Sequence, residues 1–250
     1  MDEQMTRINA WMKAFSDYEL PAFVHLPDLD LYMDQVISYI EKKLELFSVN
    51  DTDKVITSFM INNYVKAELV KPPVGKKYSR EQIGYFFAIC AVKQILSMQE
   101  IKLLFNMDEK VSPDKDKLYE FFRQVQSDNI KHASKAVQAK IDIITRRYQD
   151  ESHRNKENAA ENARANLANV AFKLAIEAEI NKLMANRIIA EINQSLKDEL
   201  ALKEKEEQER KKHSETESKK KKKHKEKKEK TIEAEVISEE NSVTVTEVAE

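Results

Sequence analysis

Glycine, cysteine and proline are scarce in this 250-residue chain, with two Gly, one Cys and five Pro. Turn-rich sandwiches, β-propellers and collagen need far more Gly and Pro, so those architectures are excluded. With Gly75 and Gly84 as the only glycines, no Gly-rich phosphate loop or dinucleotide fingerprint can be assembled. A lone Cys90 excludes an internal disulfide framework and any cysteine-rich zinc site, and fits a reducing compartment. His25, His132, His153, His213 and His224 are scattered without paired-ligand spacing, so neither a metal nor a cofactor is expected. No Ser/His/Asp or Cys/His set can be argued from spacing, and a non-enzymatic protein is expected. The longest uncharged, mainly apolar stretch, 82–92, is well short of the ~20 residues that span a bilayer. The opening Met-Asp-Glu-Gln is acidic where a secretory signal would be basic. A cytoplasmic protein with no integral membrane contact is the expectation.

Charge is abundant but nearly balanced, at 42 Lys+Arg against 44 Asp+Glu, and its distribution is uneven. Residues 210–230 hold 12 bases and four Glu, whereas 231–250 hold six Glu and no base. Neither block has an aromatic residue with which to offset the entropy of ordering, which predicts a disordered tail. The rest is patterned for helices. Leu29, Tyr32, Met33, Val36, Ile37, Ile40, Leu44 and Phe47 recur at three- and four-residue intervals, with Asp28 or Asp30 as N-cap. Trp11 and Phe15 mark a shorter amphipathic helix before them. Thr57 or Ser58 caps a helix to about Glu68, ended by Pro72-Pro73. Ser79 and Gln82 form a capping-box pair opening a helix whose inner face is Ile83, Phe86, Phe87, Cys90 and Ile95. A short helix, 98–105, follows. Beyond Pro113, apolar stripes from Leu118 to Tyr148 and from Leu167 to Leu196 predict two long helices, as an antiparallel hairpin or a dimerisation element.

The most specific segment is 54–80. Lys54, Lys66, Lys71, Lys76, Lys77 and Arg80 face a single acid there, Glu68, which makes a local cationic footprint suited to a polyanion. A helix entering the major groove needs polar side chains near its start. Ser58, Asn62 and Asn63 supply them, and Asn can pair bidentately with adenine. Phe59, Ile61 and Tyr64 are expected to pack inward or along the helix edge. Lys76, Lys77 and Tyr78 lie where a wing would follow the phosphates.

The string Met60-Ile-Asn-Asn-Tyr64-Val-Lys-Ala-Glu-Leu69-Val-Lys-Pro72-Pro73, with Lys-Lys-Tyr78-Ser79-Arg-Glu-Gln-Ile83, resembles the winged-helix module of the mercury-resistance-regulator (MerR-type) family. Residues 94–104 resemble its final helix pair. A wider resemblance, over roughly 20–200, is to a bacterial family known only as the domain of unknown function numbered 1836. It rests on Leu26-Pro27-Asp28-Leu29-Asp30-Leu31-Tyr32-Met33-Asp34-Gln35-Val36, with Met60 to Tyr64 and Lys77-Tyr78-Ser79. Together they imply a transcriptional regulator whose 32–47 helix supports the recognition helix from behind. Two positions depart from the MerR-type pattern: Asn62 stands where Arg is common, and Glu68 where Gly turns the chain. A β-carbon at a turn with positive φ carries strain, so a different backbone is expected at Glu68.

The expected architecture is therefore all-α: a helical extension (1–25), a MerR-like winged helix-turn-helix domain (26–110), a helical hairpin (111–203) and a disordered, charged tail (204–250). The expected partner is double-stranded DNA, contacted by Ser58, Asn62, Asn63, Lys66, Lys76, Lys77, Tyr78 and Arg80, with homodimerisation through 114–203. The alternative is an interaction or scaffold protein that uses the same fold without sequence-specific DNA binding.

Overall fold

Periodic apolar spacing and well-placed caps produce a mostly helical chain. The computed structural model describes residues 1–48, 54–111 and 115–243, with side chains for 1–48, 54–107 and 116–211. The elements are α1 (Asp2–Ser16), β1 (Leu31–Tyr32), α2 (Met33–Lys43), α3 (Ser58–Lys66), β2 (Lys77–Tyr78), α4 (Arg80–Val92), α5 (Met98–Val111), α6 (Lys115–Ser152) and α7 (Lys156–Val243). The two short strands pair antiparallel, Leu31 opposite Tyr78 and Tyr32 opposite Lys77.

Capping chemistry sets the helix starts. Thr57 Oγ1 accepts the Met60 N–H at 3.2 Å and opens α3. Ser79 and Gln82 close the expected reciprocal box on α4: Gln82 Oε1 accepts the Ser79 N–H at 2.7 Å. Ser97 and Glu100 repeat that arrangement at α5. The helix expected from Leu29 begins only at Met33. Neither Asp28 nor Asp30 caps it, because Leu31 and Tyr32 are held extended against β2; Gln35 Oε1 instead accepts the Tyr32 N–H at 3.0 Å.

Two apolar clusters hold the first compact unit, Met1–Leu183. The larger joins Val36 and Ile40 of α2, Ile61 and Tyr64 of α3, Ile83, Phe86, Phe87 and Ile89 of α4, Ile101 and Phe105 of α5, and Leu118 and Tyr119 of α6. Each large aliphatic or aromatic side chain fully removed from water contributes about 1.5–3 kcal/mol. Gly84 lets α4 approach α6, since a β-carbon there would lie 3.3 Å from the Tyr119 ring. Ile95, expected on the inner face of α4, is exposed because the helix ends at Val92. The smaller cluster joins Met5 and Met12 of α1, Ile141, Ile144 and Tyr148 of α6, and Ala159 and Ala163 of α7. Met5 and Met12 bury the inner face of α1, leaving Trp11 half exposed and stacked on Phe15.

The expected helical hairpin forms at its closed end. Asn155 Oδ1 accepts the Glu157 and Asn158 N–H groups, and Asn162 Nδ2 reaches Glu151 Oε2 at 3.1 Å. Farther along α7, Phe172, Ile176, Ile180 and Leu183 are exposed. Residues 184–250 form the second unit, which contains the remainder of α7. The tail expected to be disordered from 204 is helical to Val243. Lys and Glu are good helix formers, and Glu207 pairs with Lys211 one turn away at 2.7 Å. The end of that expected tail, 244–250, lies outside the described residues. No helix among the described residues is long and apolar enough to cross a membrane.

Candidate nucleic-acid interface

α3 divides its residues between core and solvent by simple helical phase. Ile61 and Tyr64 are buried, and Met60 and Val65 pack beside them. The opposite face presents Ser58, Phe59, Asn62 and Lys66 to solvent, with Asn63 half-buried at its margin. Ser58, Asn62 and Lys66 follow one another at four-residue steps, so they share a ridge. Phe59 differs from the expectation of inward or edge packing: its ring is 72% exposed.

The chain leaves α3 through a Schellman closure. The Glu68 N–H donates to Val65 O at 3.0 Å, and the Leu69 N–H to Tyr64 O at 2.9 Å. Glu68 takes φ +59°, so the left-handed turn is retained with a β-carbon present, against the expectation of a different backbone. Burial of Leu69 and Val70 and the paired hydrogen bonds offset the strain. The Glu68 carboxylate meets Lys102 Nζ at 2.6 Å, and that hydrogen bond holds its pKa below the usual range.

Val74 and Lys77 then close a tight turn with two reciprocal backbone hydrogen bonds of 3.0 Å. Gly75 and Lys76 both have positive φ (+56° and +65°), the signature of the hairpin turn that matches strand twist. This turn carries Lys76 to the mouth of a ≈ 440 Å³ depression shared with Asn62, Lys66, Val65, Pro73 and Met33. Asn62 and Lys66 from α3 therefore line the same depression as Lys76 from the turn.

The remaining candidates separate from that group. Tyr78 lies in the floor of the depression, but only 2% of its surface is exposed. Its ring packs edge-on against Phe86 at 5.5 Å, and desolvation raises its pKa. Strand alternation makes Tyr78 a core residue, which corrects its expected place among the phosphate contacts. Lys77 points the other way: its Nζ sits 5.0 Å above the Tyr32 ring, beside a second, ≈ 300 Å³ cavity. That cavity's rim mixes Lys71 and Lys102 with Asp30 and Glu68, so it carries no single-signed field. Arg80 is half-buried, with its guanidinium over Phe23 and Nε donating to Pro27 O at 3.3 Å. It clamps the segment before β1.

Cys90 is shielded from reactivity. Burial pushes its pKa up to about 11, while Lys93 pulls weakly the other way. Among the described residues, no group of three His, Cys, Asp or Glu side chains could hold a metal ion.

Neither the curated proteins nor the solved structures provide a match to this chain. Residues 21–124, a narrower span than the resemblance over 20–200, match the family model described as Domain of unknown function (DUF1836), and the match takes in α2 to α5, the Val74–Lys77 turn and the start of α6.

Proposed function

We propose that this protein is a non-enzymatic, DNA-binding regulator that sets α3 in the major groove and the Val74–Lys77 turn along the backbone, as a MerR-like winged helix-turn-helix would. One observation carries the reading: Asn62 and Lys66 of α3 share a depression with Lys76 of the turn. An amide able to pair with a base edge thereby shares one depression with two cations exposed to solvent, a combination that supports sequence readout with phosphate anchoring. The packing of α2 supports the reading: its Val36 and Ile40 share one core with Ile61 and Tyr64 of α3, as a helix backing a reading helix would.

A homodimer completes the proposal. Phe172, Ile176, Ile180 and Leu183 lie on one face of α7 within 114–203, exposed to solvent in the single chain. A second copy offering the same face would cover them, and two reading heads would then match a two-fold operator. Sedimentation analysis of the full chain should show a dimer that Ile176→Glu/Ile180→Glu dissociates.

The test of DNA binding is titration of a labelled random-sequence duplex with the full chain. Saturable binding is expected, weakened at least tenfold in an Asn62→Ala/Lys66→Gln/Lys76→Gln variant whose melting temperature is unchanged. Equal binding by that variant would refute the assignment. Loss of binding only when Lys219 to Lys223 are replaced by Gln would move the activity to the Lys-rich run. Absence of any duplex affinity would favour the interaction-protein alternative.

A further inference from the structure

Of the ten phenylalanines, eight pack against another aromatic ring, whether stacked, tilted or edge-on; Phe59 and Phe172 have no ring partner among the described residues. Phe59 projects from the second position of α3, 72% exposed, beside the ridge of Ser58, Asn62 and Lys66. Leaving so much apolar surface in water stabilises nothing within the chain. Its position gives it a use. Near the start of a helix laid in the major groove, side chains touch base edges, and an apolar side chain there meets the thymine methyl. Asn62, one turn along, is the residue type that pairs with N6 and N7 of adenine. Side chains three apart on a helix have Cβ atoms about 5–6 Å apart. That separation spans one to two base-pair steps of about 3.4 Å.

We propose that α3 selects a site containing neighbouring A·T pairs, Phe59 covering a thymine methyl while Asn62 holds the adenine edge. The inference rests on the DNA-binding reading and adds the base class that is read.

The experiment selects a preferred duplex from a random pool with the full chain, then replaces each thymine in turn by uracil, which lacks only the methyl. One replacement should weaken wild-type binding about fourfold, the value of one buried methyl group. Phe59→Ala should bind the parent duplex about fourfold less well and be indifferent to that uracil, whereas Phe59→Leu should keep the discrimination. Replacing a neighbouring adenine by 7-deazaadenine should cost on the order of tenfold in wild type and nothing further in Asn62→Ala. Selection of a G·C-only site, or a uracil penalty that persists in Phe59→Ala, would overturn the inference while leaving DNA binding intact. Failure to bind any duplex would remove both.

Discussion

The salt dependence of DNA binding can be worked out from the placement of three lysines. Each phosphate neutralised on a duplex contributes about 0.9 to the slope of log K against log salt concentration. Lys66 and Lys76 are exposed on the same depression as Asn62, so each reading head should place two cations on phosphates. Replacing both by Gln should therefore lower the slope by about 1.8 per head and about 3.6 in a two-headed dimer. Lys77 lies against Tyr32 beside the other cavity, so Lys77→Gln should change the slope by less than half as much as either replacement. The assay is fluorescence anisotropy of a labelled duplex over ~50–300 mM KCl, the range in which counterion release dominates affinity. A Lys66→Gln/Lys76→Gln slope equal to wild type would refute the argument. So would a Lys77→Gln effect as large as that of Lys76→Gln, because it would show that the two faces of the turn are not distinguished by the ligand.

Four stability and reactivity measurements probe the scaffold. Lys76→Gly removes a β-carbon from a left-handed position worth about 1–2 kcal/mol in strain, partly offset by glycine entropy. Thermal melting should rise by roughly 1–3 °C while duplex affinity falls. Ile61→Ala hollows the fully buried contact behind α3 and should destabilise the chain by about 2–5 kcal/mol in urea unfolding. Glu120 accepts the Phe23 N–H at 2.6 Å and pairs with Arg123 at 2.6 Å; burial raises its pKa, but these partners outweigh burial and hold it below the ordinary range. Its contribution is thus present above the unfolded carboxylate pKa and lost as pH falls through the depressed folded one. Glu120→Gln should be less stable at neutral pH and show a shallower stability loss below about pH 4.5, measured by denaturant unfolding across pH. Cys90, with its pKa near 11, should react with a disulfide reagent at pH 8 at least about 100-fold slower in the native chain than after unfolding.

Much of the helical plan was legible in linear sequence because its determinants are local. Thr57, and Ser79 with Gln82, act within one turn of chain, and their capping bonds are those their spacing implied. The expected Pro72-Pro73 stop does not end α3, which closes at Lys66 through the Glu68 and Leu69 hydrogen bonds before either proline is reached. Val36, Ile40, Ile83, Phe86 and Phe87 are buried as their periodicity required. The start of α2 departs from its apolar periodicity because the competing interaction, pairing of Leu31 with Tyr78, joins residues 47 positions apart. Phe59 departs from the expected packing for a related reason: apolar character says that a side chain prefers contact, not that this chain supplies it. Its place two residues before Ile61, about 200° round the helix from it, is the available signal.

Sequence by itself determined the helical class, the cationic character of 54–80 and the residue types able to meet a nucleic acid, since composition and short-range spacing do not depend on how distant segments meet. Tertiary structure alone decided that Lys76 joins Asn62 and Lys66 while Lys77 turns away, that Tyr78 belongs to the core and that Arg80 clamps Phe23. The physical reason is the pairing of β1 with β2 over the packed α2–α3–α4 core: strand alternation assigns each successive side chain a face, and only long-range contacts decide which face looks outward.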